Sequence, residues 1–128
     1  MSDLPQPNDA LLWYLAAPYS KSADLEARTM EIDRAAAWLW GRGIVCYSPI
    51  THTHRIANHL GDHRNSEFWV SRDKVFWPRC DGLIALLLDG WRESAGMAEE
   101  FSWFKASGKR LCKMTADPYG LWAWMLLR

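Results

Sequence analysis

Six consecutive apolar residues, Leu83-Ile84-Ala85-Leu86-Leu87-Leu88, stop at Asp89-Gly90 and constrain this chain more than any other stretch. A strand with one wet face alternates polar and apolar residues. This run does not alternate, so both of its faces are covered, as in a parallel sheet, and it is far too short to span a bilayer. Three more segments read as strands: Leu11–Ala17, ended by Pro18; Ile44–Tyr47, stopped by Ser48-Pro49; and Arg110–Met114. Helical patterns separate them. Leu25, Thr29, Ile32, Ala36 and Leu39 recur at spacings of three and four and are closed by Gly41 and Gly43. Ser66–Trp77 reads as a helix ended by Pro78, Ser94–Ala106 as one with Met97, Phe101 and Phe104 on its core face, and Tyr119–Leu127 as a closing helix. Ile50–Asn65 shows no clear period and reads as a long irregular loop of the kind that carries function, and residues 1–10 read as an N-terminal tail. The alternation predicts an α/β single domain over residues 1–128. Its fold would be Rossmann- or flavodoxin-like, with a four- to five-stranded parallel sheet and helices on both faces.

Composition narrows the partners. Lys+Arg and Asp+Glu both number 15, so there is no basic excess and no nucleic-acid partner is expected. Nine Trp are more indole than a small core needs, which points to a pocket or a subunit interface, with Trp122 and Trp124 suited to the latter. Cys46, Cys80 and Cys112 form no CxxC pair and read as buried reduced thiols of a cytoplasmic protein. The first ten residues lack a signal-peptide pattern and no apolar run suits a bilayer, so no membrane partner is expected.

In an open parallel sheet, ligands bind beyond the carboxyl ends of the strands. That rule selects the loops Pro18-Tyr19-Ser20, Ser48–His54 and Asp89–Ser94. The chain contains no GxGxxG, no GxxxxGKS/T and no GxSxG, so dinucleotide, P-loop and α/β-hydrolase readings lack their motifs. Ser94-Ala95-Gly96, opening a helix, presents a hydroxyl and free backbone N–H groups that suit a phosphate or carboxylate. Glu100 falls beside the Met97 stripe near the crevice, and Glu99 points further round. A carboxylate on a pocket wall serves as nucleophile or general base; the alternative is a pair of solvated first-turn acids favouring the helix dipole. Asp73 shares a face with Val70 and Trp77, and reads either as a general acid or sugar-hydroxyl partner, or as an ion pair with Arg72 or Lys74. His52, His54, His59 and His63 are spaced by two, five and four, which fits no zinc signature, and no metal is expected. If Thr51–His54 were a strand, His52 and His54 would share a face, which keeps a histidine-metal hydrolase as a rival.

Several segments resemble one family. Tyr14-Leu15-Ala16-Ala17-Pro18-Tyr19-Ser20 resembles the first-strand motif YLAGPYS of the nucleoside 2-deoxyribosyltransferase-like superfamily. Ser48-Pro49-Ile50-Thr51-His52 resembles the second-loop segment of its small bacterial and phage members. Cys80-Asp81, then Gly90-Trp91-Arg92-Glu93-Ser94-Ala95-Gly96 and Glu100, resemble its GWxxSxGxxxE stretch, and Gly108-Lys109 matches the GK before its last strand. The likeness runs from residue 11 to about 115; Ala17 departs from the Gly of many members.

The resemblance implies cleavage of an N-glycosidic bond with Glu100 as nucleophile. A glycosyl-enzyme ester would form and then be resolved by water or by another base. It implies Asp73 as the second acid and Tyr14 as the residue that holds Glu100. Ser94, six residues before Glu100, stands where the nucleoside 5′-monophosphate hydrolases have Ser and the transferases have Asp. The implied substrate is therefore a (deoxy)nucleoside 5′-monophosphate. Ser94, Ser20 and the backbone around Pro18 and Tyr19 would serve the phosphate, with His52 or Arg92 adding positive charge. No organic cofactor is expected. Two alternatives stand beside hydrolysis: a nucleoside deoxyribosyltransferase, and a nucleotide-binding sensor without turnover. Several members complete the site with a neighbouring subunit's residue, which implies a homo-oligomer, dimer or tetramer.

Overall fold

In the computed structural model the chain is described at residues 4–19, 22–60, 66–116 and 124–128. The elements are β1 (Leu12–Ala16), α1 (Leu25–Gly41), β2 (Val45–Tyr47), α2 (Pro49–Ala57), α3 (Ser66–Asp73), β3 (Gly82–Leu86), α4 (Ala95–Ala106), β4 (Arg110–Ala116) and β5 (Trp124–Leu127), with short 3-10 turns at Trp77–Arg79 and Trp91–Glu93. The strands run in the order β2-β1-β3-β4-β5. The first four are mutually parallel and β5 is antiparallel to β4. This is the flavodoxin-like order of a doubly wound sheet, closed by one antiparallel edge.

That edge corrects the sequence reading. Tyr119–Leu127 does not end as a helix: Trp124–Leu127 is β5, while residues 119–123 lie outside the described residues. Every residue from Trp124 to Leu127 is apolar, so composition carries no period. Burial does: Trp124 and Leu126 pack on the core, and Met125 and Leu127 are exposed. The open edge of β4 supplies the hydrogen bonds that a free terminal helix would have to make alone. The expected irregular loop is also corrected. Its first part is α2, with Pro49 in the first turn and Ser48 as N-cap, its Oγ accepting from Thr51 N–H at 3.4 Å. Residues 61–65 of that loop lie outside the described residues. The third helix is shorter than expected and stops at Asp73; Pro78 then permits only a separate turn.

Strand parity explains the unbroken apolar runs. Trp13, Leu15, Ile84 and Leu86 pack on one side against Ile32 and Leu39 of α1. Tyr14, Ala16, Leu83 and Ala85 pack on the other side with Trp77, Met97 and Phe104. Each of the larger aliphatic side chains among them contributes about 1.5–3 kcal/mol on burial. A Cβ on Gly82 would sit 2.5 Å from the Trp13 ring and 2.9 Å from Cβ of Arg110, so only glycine lets that ring lie across β3. Cys46, Cys80 and Cys112 are free and buried, and burial pushes their thiols up to about 11, 11 and 12. Among the described residues, no helix is long and apolar enough to cross a membrane.

Candidate active site

The carboxyl ends of β1, β2 and β3 open toward a cavity of about 140 Å³. Ala17 and Tyr19 line it from the loop after β1, and Ser94, Gly96 and Glu100 from α4. The opposite wall comes from α2 and α3, through residues such as Ile50, His54, Trp69 and Asp73.

Glu100 reaches this cavity because it occupies a core position. The buried residues of α4 are Met97, Glu100 and Phe104, spaced by three and four; Phe101, expected on that face, is 36% exposed. A carboxyl has taken the place in the stripe that an apolar residue normally holds, and only 7% of it reaches solvent. Burial pushes its pKa up to about 8, helped by the negative charges of Asp73 and Glu99, while the Tyr14 hydroxyl pulls it down. Glu99 lies on the wet side of the helix, 3.0 Å from Lys74 Nζ.

Tyr14, on β1, is fully buried, with its ring 5.6 Å from Phe104 and edge-on to Trp77 at 6.4 Å. Burial raises its pKa far above the usual phenol value, and Glu100 and Asp73 add to the rise. Among the described residues, neither the Tyr14 hydroxyl nor Trp77 Nε1 has a partner in full hydrogen-bond geometry. The Tyr14 hydroxyl nonetheless lies near enough to Glu100 to favour its ionised form. An unsatisfied buried hydroxyl costs about 1–3 kcal/mol, and functional sites are where such costs collect.

Asp73 ends α3 and is not the ion-pair partner of its neighbours. Lys74 pairs with Glu99, and the Arg72 guanidinium lies 3.5 Å from the Phe68 ring centroid. Burial raises the Asp73 carboxyl to about 6. Two carboxyls with raised pKa values, the charge of Asp73 adding to the rise at Glu100, therefore share one cavity, as acid–base pairs do in active sites.

The remaining expected residues divide. Ser94 caps α4, its Oγ accepting from Met97 N–H at 3.2 Å, and lines the cavity with Gly96 and Tyr19. Gly90, at φ +91°, makes the left-handed turn that leads into this cap. Pro18, expected at the phosphate, does not line the cavity: it is buried and its carbonyl accepts from Arg28. Ser20 lies outside the described residues, as does His63. His52 does not line this cavity. Its Nδ1 is 3.0 Å from the Tyr47 hydroxyl, in an adjoining cleft that shares Asp73. Arg92 lies over its own neighbour, with the guanidinium 4.8 Å from the Trp91 ring centroid. His52 and His54 do not share a face, because α2 is a helix and turns residues two apart well away from each other. Among the described residues, no group of three or more His, Cys, Asp or Glu is arranged to hold a metal.

Two features escaped the sequence reading. Arg28 is buried on α1. Its guanidinium donates to the carbonyls of Pro18 at 2.9 Å and Asp89 at 3.0 Å, tying together the loops that follow β1 and β3. Position 28 falls on the Leu25–Ile32 side of the helical stripe, which was the available signal. The second feature is a chain from Glu26 through His54 to Tyr19, with 2.7 Å at each step. It joins α1, α2 and the loop after β1, and nothing in the sequence spacing of 28 and 35 residues announces it.

No curated protein matches the chain. A family model does match, over residues 12–116, which takes in β1 through β4 and every cavity residue named above. The chain thus belongs to the family described as a domain of unknown function, DUF1937.

Proposed function

We propose that this protein hydrolyses the N-glycosidic bond of a (deoxy)nucleoside 5′-monophosphate through a glycosyl-enzyme intermediate on Glu100. The observation that carries the reading is a carboxyl in a core position of α4, opening on the same cavity as a second raised carboxyl and a helix N-terminus. A core carboxyl costs stability. The site recovers that cost as chemistry if charge develops beside it, and C1 of a sugar becomes cationic as its base departs. The resemblance of the sequence motifs to the nucleoside 2-deoxyribosyltransferase-like superfamily supports the reading, since it implies these roles for Glu100, Asp73 and Tyr14.

Before substrate binds, the proton belongs to Glu100, with its pKa of about 8, while Asp73, at about 6, is ionised at neutral pH. Attack needs the reverse. Passing the proton from Glu100 to Asp73 makes the first a nucleophile and the second the acid that protonates the leaving base. The exchange costs roughly 3 kcal/mol, the equivalent of two pH units. The developing positive charge at C1 lowers that cost; the pull of the Tyr14 hydroxyl is already contained in the Glu100 value. Water then attacks C1, Asp73 takes its proton, the bond from C1 to the Glu100 oxygen breaks to return the carboxylate, and free sugar phosphate leaves. The phosphate sits at the start of α4, where Ser94 and the first backbone N–H groups meet it.

One observation favours a second reading. A carboxyl that holds its proton at neutral pH also suits a binding module, in which Glu100 donates a hydrogen bond to a ligand without turnover. A panel of nucleoside monophosphates separates the readings: base release by the native protein, its loss in Glu100→Gln with binding retained, and a trapped sugar adduct on Glu100 support hydrolysis. Binding without base release supports the module, and base exchange with a second added base supports transfer. A dimer or tetramer belongs to the same proposal. Exposed Met125 and Leu127 on the edge strand offer apolar surface, and light scattering measures the assembly. The buried free thiols suit the reducing cytoplasm.

A further inference from the structure

One wall of the cavity is polar and plays no part in the reaction above. His54 Nε2 lies 2.7 Å from a Glu26 carboxylate oxygen, and His54 Nδ1 lies 2.7 Å from the Tyr19 hydroxyl. Tyr19 and His54 line the same cavity as Glu100 and Asp73. The His54 side chain is only 13% exposed, whereas Glu26 is 74% exposed and reaches solvent.

The donor–acceptor sense of this chain follows from chemistry. A carboxylate has lone pairs only, so the Nε2 that meets Glu26 carries hydrogen. In the neutral ring, Nδ1 then offers a lone pair, and the Tyr19 hydroxyl donates to it. The Thr29 hydroxyl gives its own hydrogen to the Leu25 carbonyl at 2.8 Å and could only accept from Tyr19, but the Nδ1 lone pair, 2.7 Å from the phenolic oxygen, would then face another lone pair, so the Tyr19 hydrogen goes to His54. With its proton engaged, the Tyr19 oxygen has only lone pairs left for the cavity.

We propose that Tyr19 is a specificity-determining residue: an acceptor, set in that sense by His54 and Glu26, that reads a hydrogen-bond donor on the substrate. The donor is either a pentose hydroxyl or an exocyclic amino group of the base. The inference rests on reading the cavity as a nucleotide site. A ligand lacking that donor leaves the phenolic oxygen desolvated and unpaired, and it is rejected for that reason.

The test compares amino-bearing purine and pyrimidine nucleoside 5′-monophosphates with their 2′-deoxy, 3′-deoxy and deamino counterparts. Affinity of the whole chain is measured by calorimetry, and base release is followed in parallel, at neutral pH, where the Glu100–Asp73 pair keeps one proton. The native protein should bind one class of counterpart roughly 10- to 100-fold more weakly than its parent, and that class identifies the donor. Tyr19→Phe should bring the ratio to about one while barely changing affinity for the counterpart itself. Glu26→Gln, a surface change outside the cavity, should also shrink the ratio, because an amide no longer fixes the ring tautomer. A native protein indifferent to all three deletions, or a ratio unchanged in Tyr19→Phe and Glu26→Gln, overturns the proposal. Loss of the ratio in both variants without base release from any probe sinks hydrolysis and leaves Tyr19 standing. Base release with an unmoved ratio does the reverse, and failure of every probe to bind removes both.

Discussion

Replacing Glu100 by Gln should make the protein more stable at alkaline pH and, on the proposed mechanism, inactive. The folded state raises this carboxyl from 4.5 to about 8. Between those values the folded chain keeps a proton that the unfolded chain has released. Stability therefore falls as pH rises through this window and levels off above it. The complete loss is on the order of 5 kcal/mol, a third or more of the stability of an ordinary domain. Asp73 complicates the lower part of the window, because its own raised pKa of about 6 acts in the same direction. From about pH 6 to about pH 8 the Glu100 contribution dominates, and the native protein should lose roughly 3 kcal/mol relative to the amide variant. The amide has nearly the shape of the protonated acid and cannot ionise, so packing around Met97 and Phe104 is preserved. Urea unfolding of both proteins at a series of pH values reads the difference directly. Base release by the variant should fall by at least about 10³-fold in parallel. Parallel stability curves for the two proteins would mean that this carboxyl is hydrated, and the account of the site would be refuted. A stabilised variant that still releases base would retain the burial argument and remove Glu100 as nucleophile.

Other outcomes follow from the same geometry. Tyr14→Phe deletes the hydroxyl that pulls the Glu100 pKa down, so the falling limb of the pH–rate profile, where the pair loses its last proton, should move to higher pH, and loss of an unsatisfied buried hydroxyl should raise stability by up to about 1 kcal/mol in thermal unfolding. Gly82→Ala forces a methyl against the Trp13 ring and Arg110, and should destabilise the sheet by about 1–3 kcal/mol in urea titration. Arg28→Lys should fail to restore the link between the Pro18 and Asp89 carbonyls, because an ammonium lacks the planar fork; KM should rise several-fold, and Arg28→Ala should cost about 1–3 kcal/mol more than a surface Arg→Ala control.

The sequence by itself determined the architecture. The unbroken apolar run Leu83–Leu88, the stripe from Thr29 to Leu39 and the breaks at Pro18, Pro49 and Gly90 were enough for a doubly wound sheet, because strand and helix periods are local properties of the chain. They also placed Ser94, Gly96 and Glu100 at the sheet's carboxyl edge. Local pattern failed where it was uniform or masked. Trp124–Leu127 is apolar at every position, and its strand exists because β4 left an edge to be paired. The polar run Thr51-His52-Thr53-His54 concealed a capped helix that packs through buried Pro49 and half-buried Ile50 at its start. Only the tertiary structure decided that Glu100 and not Phe101 faces inward, that Asp73 is left without its neighbouring cations, and that Glu26, His54 and Tyr19 meet. Burial and pairing of charge depend on which distant elements approach, and no period in the chain encodes that distance.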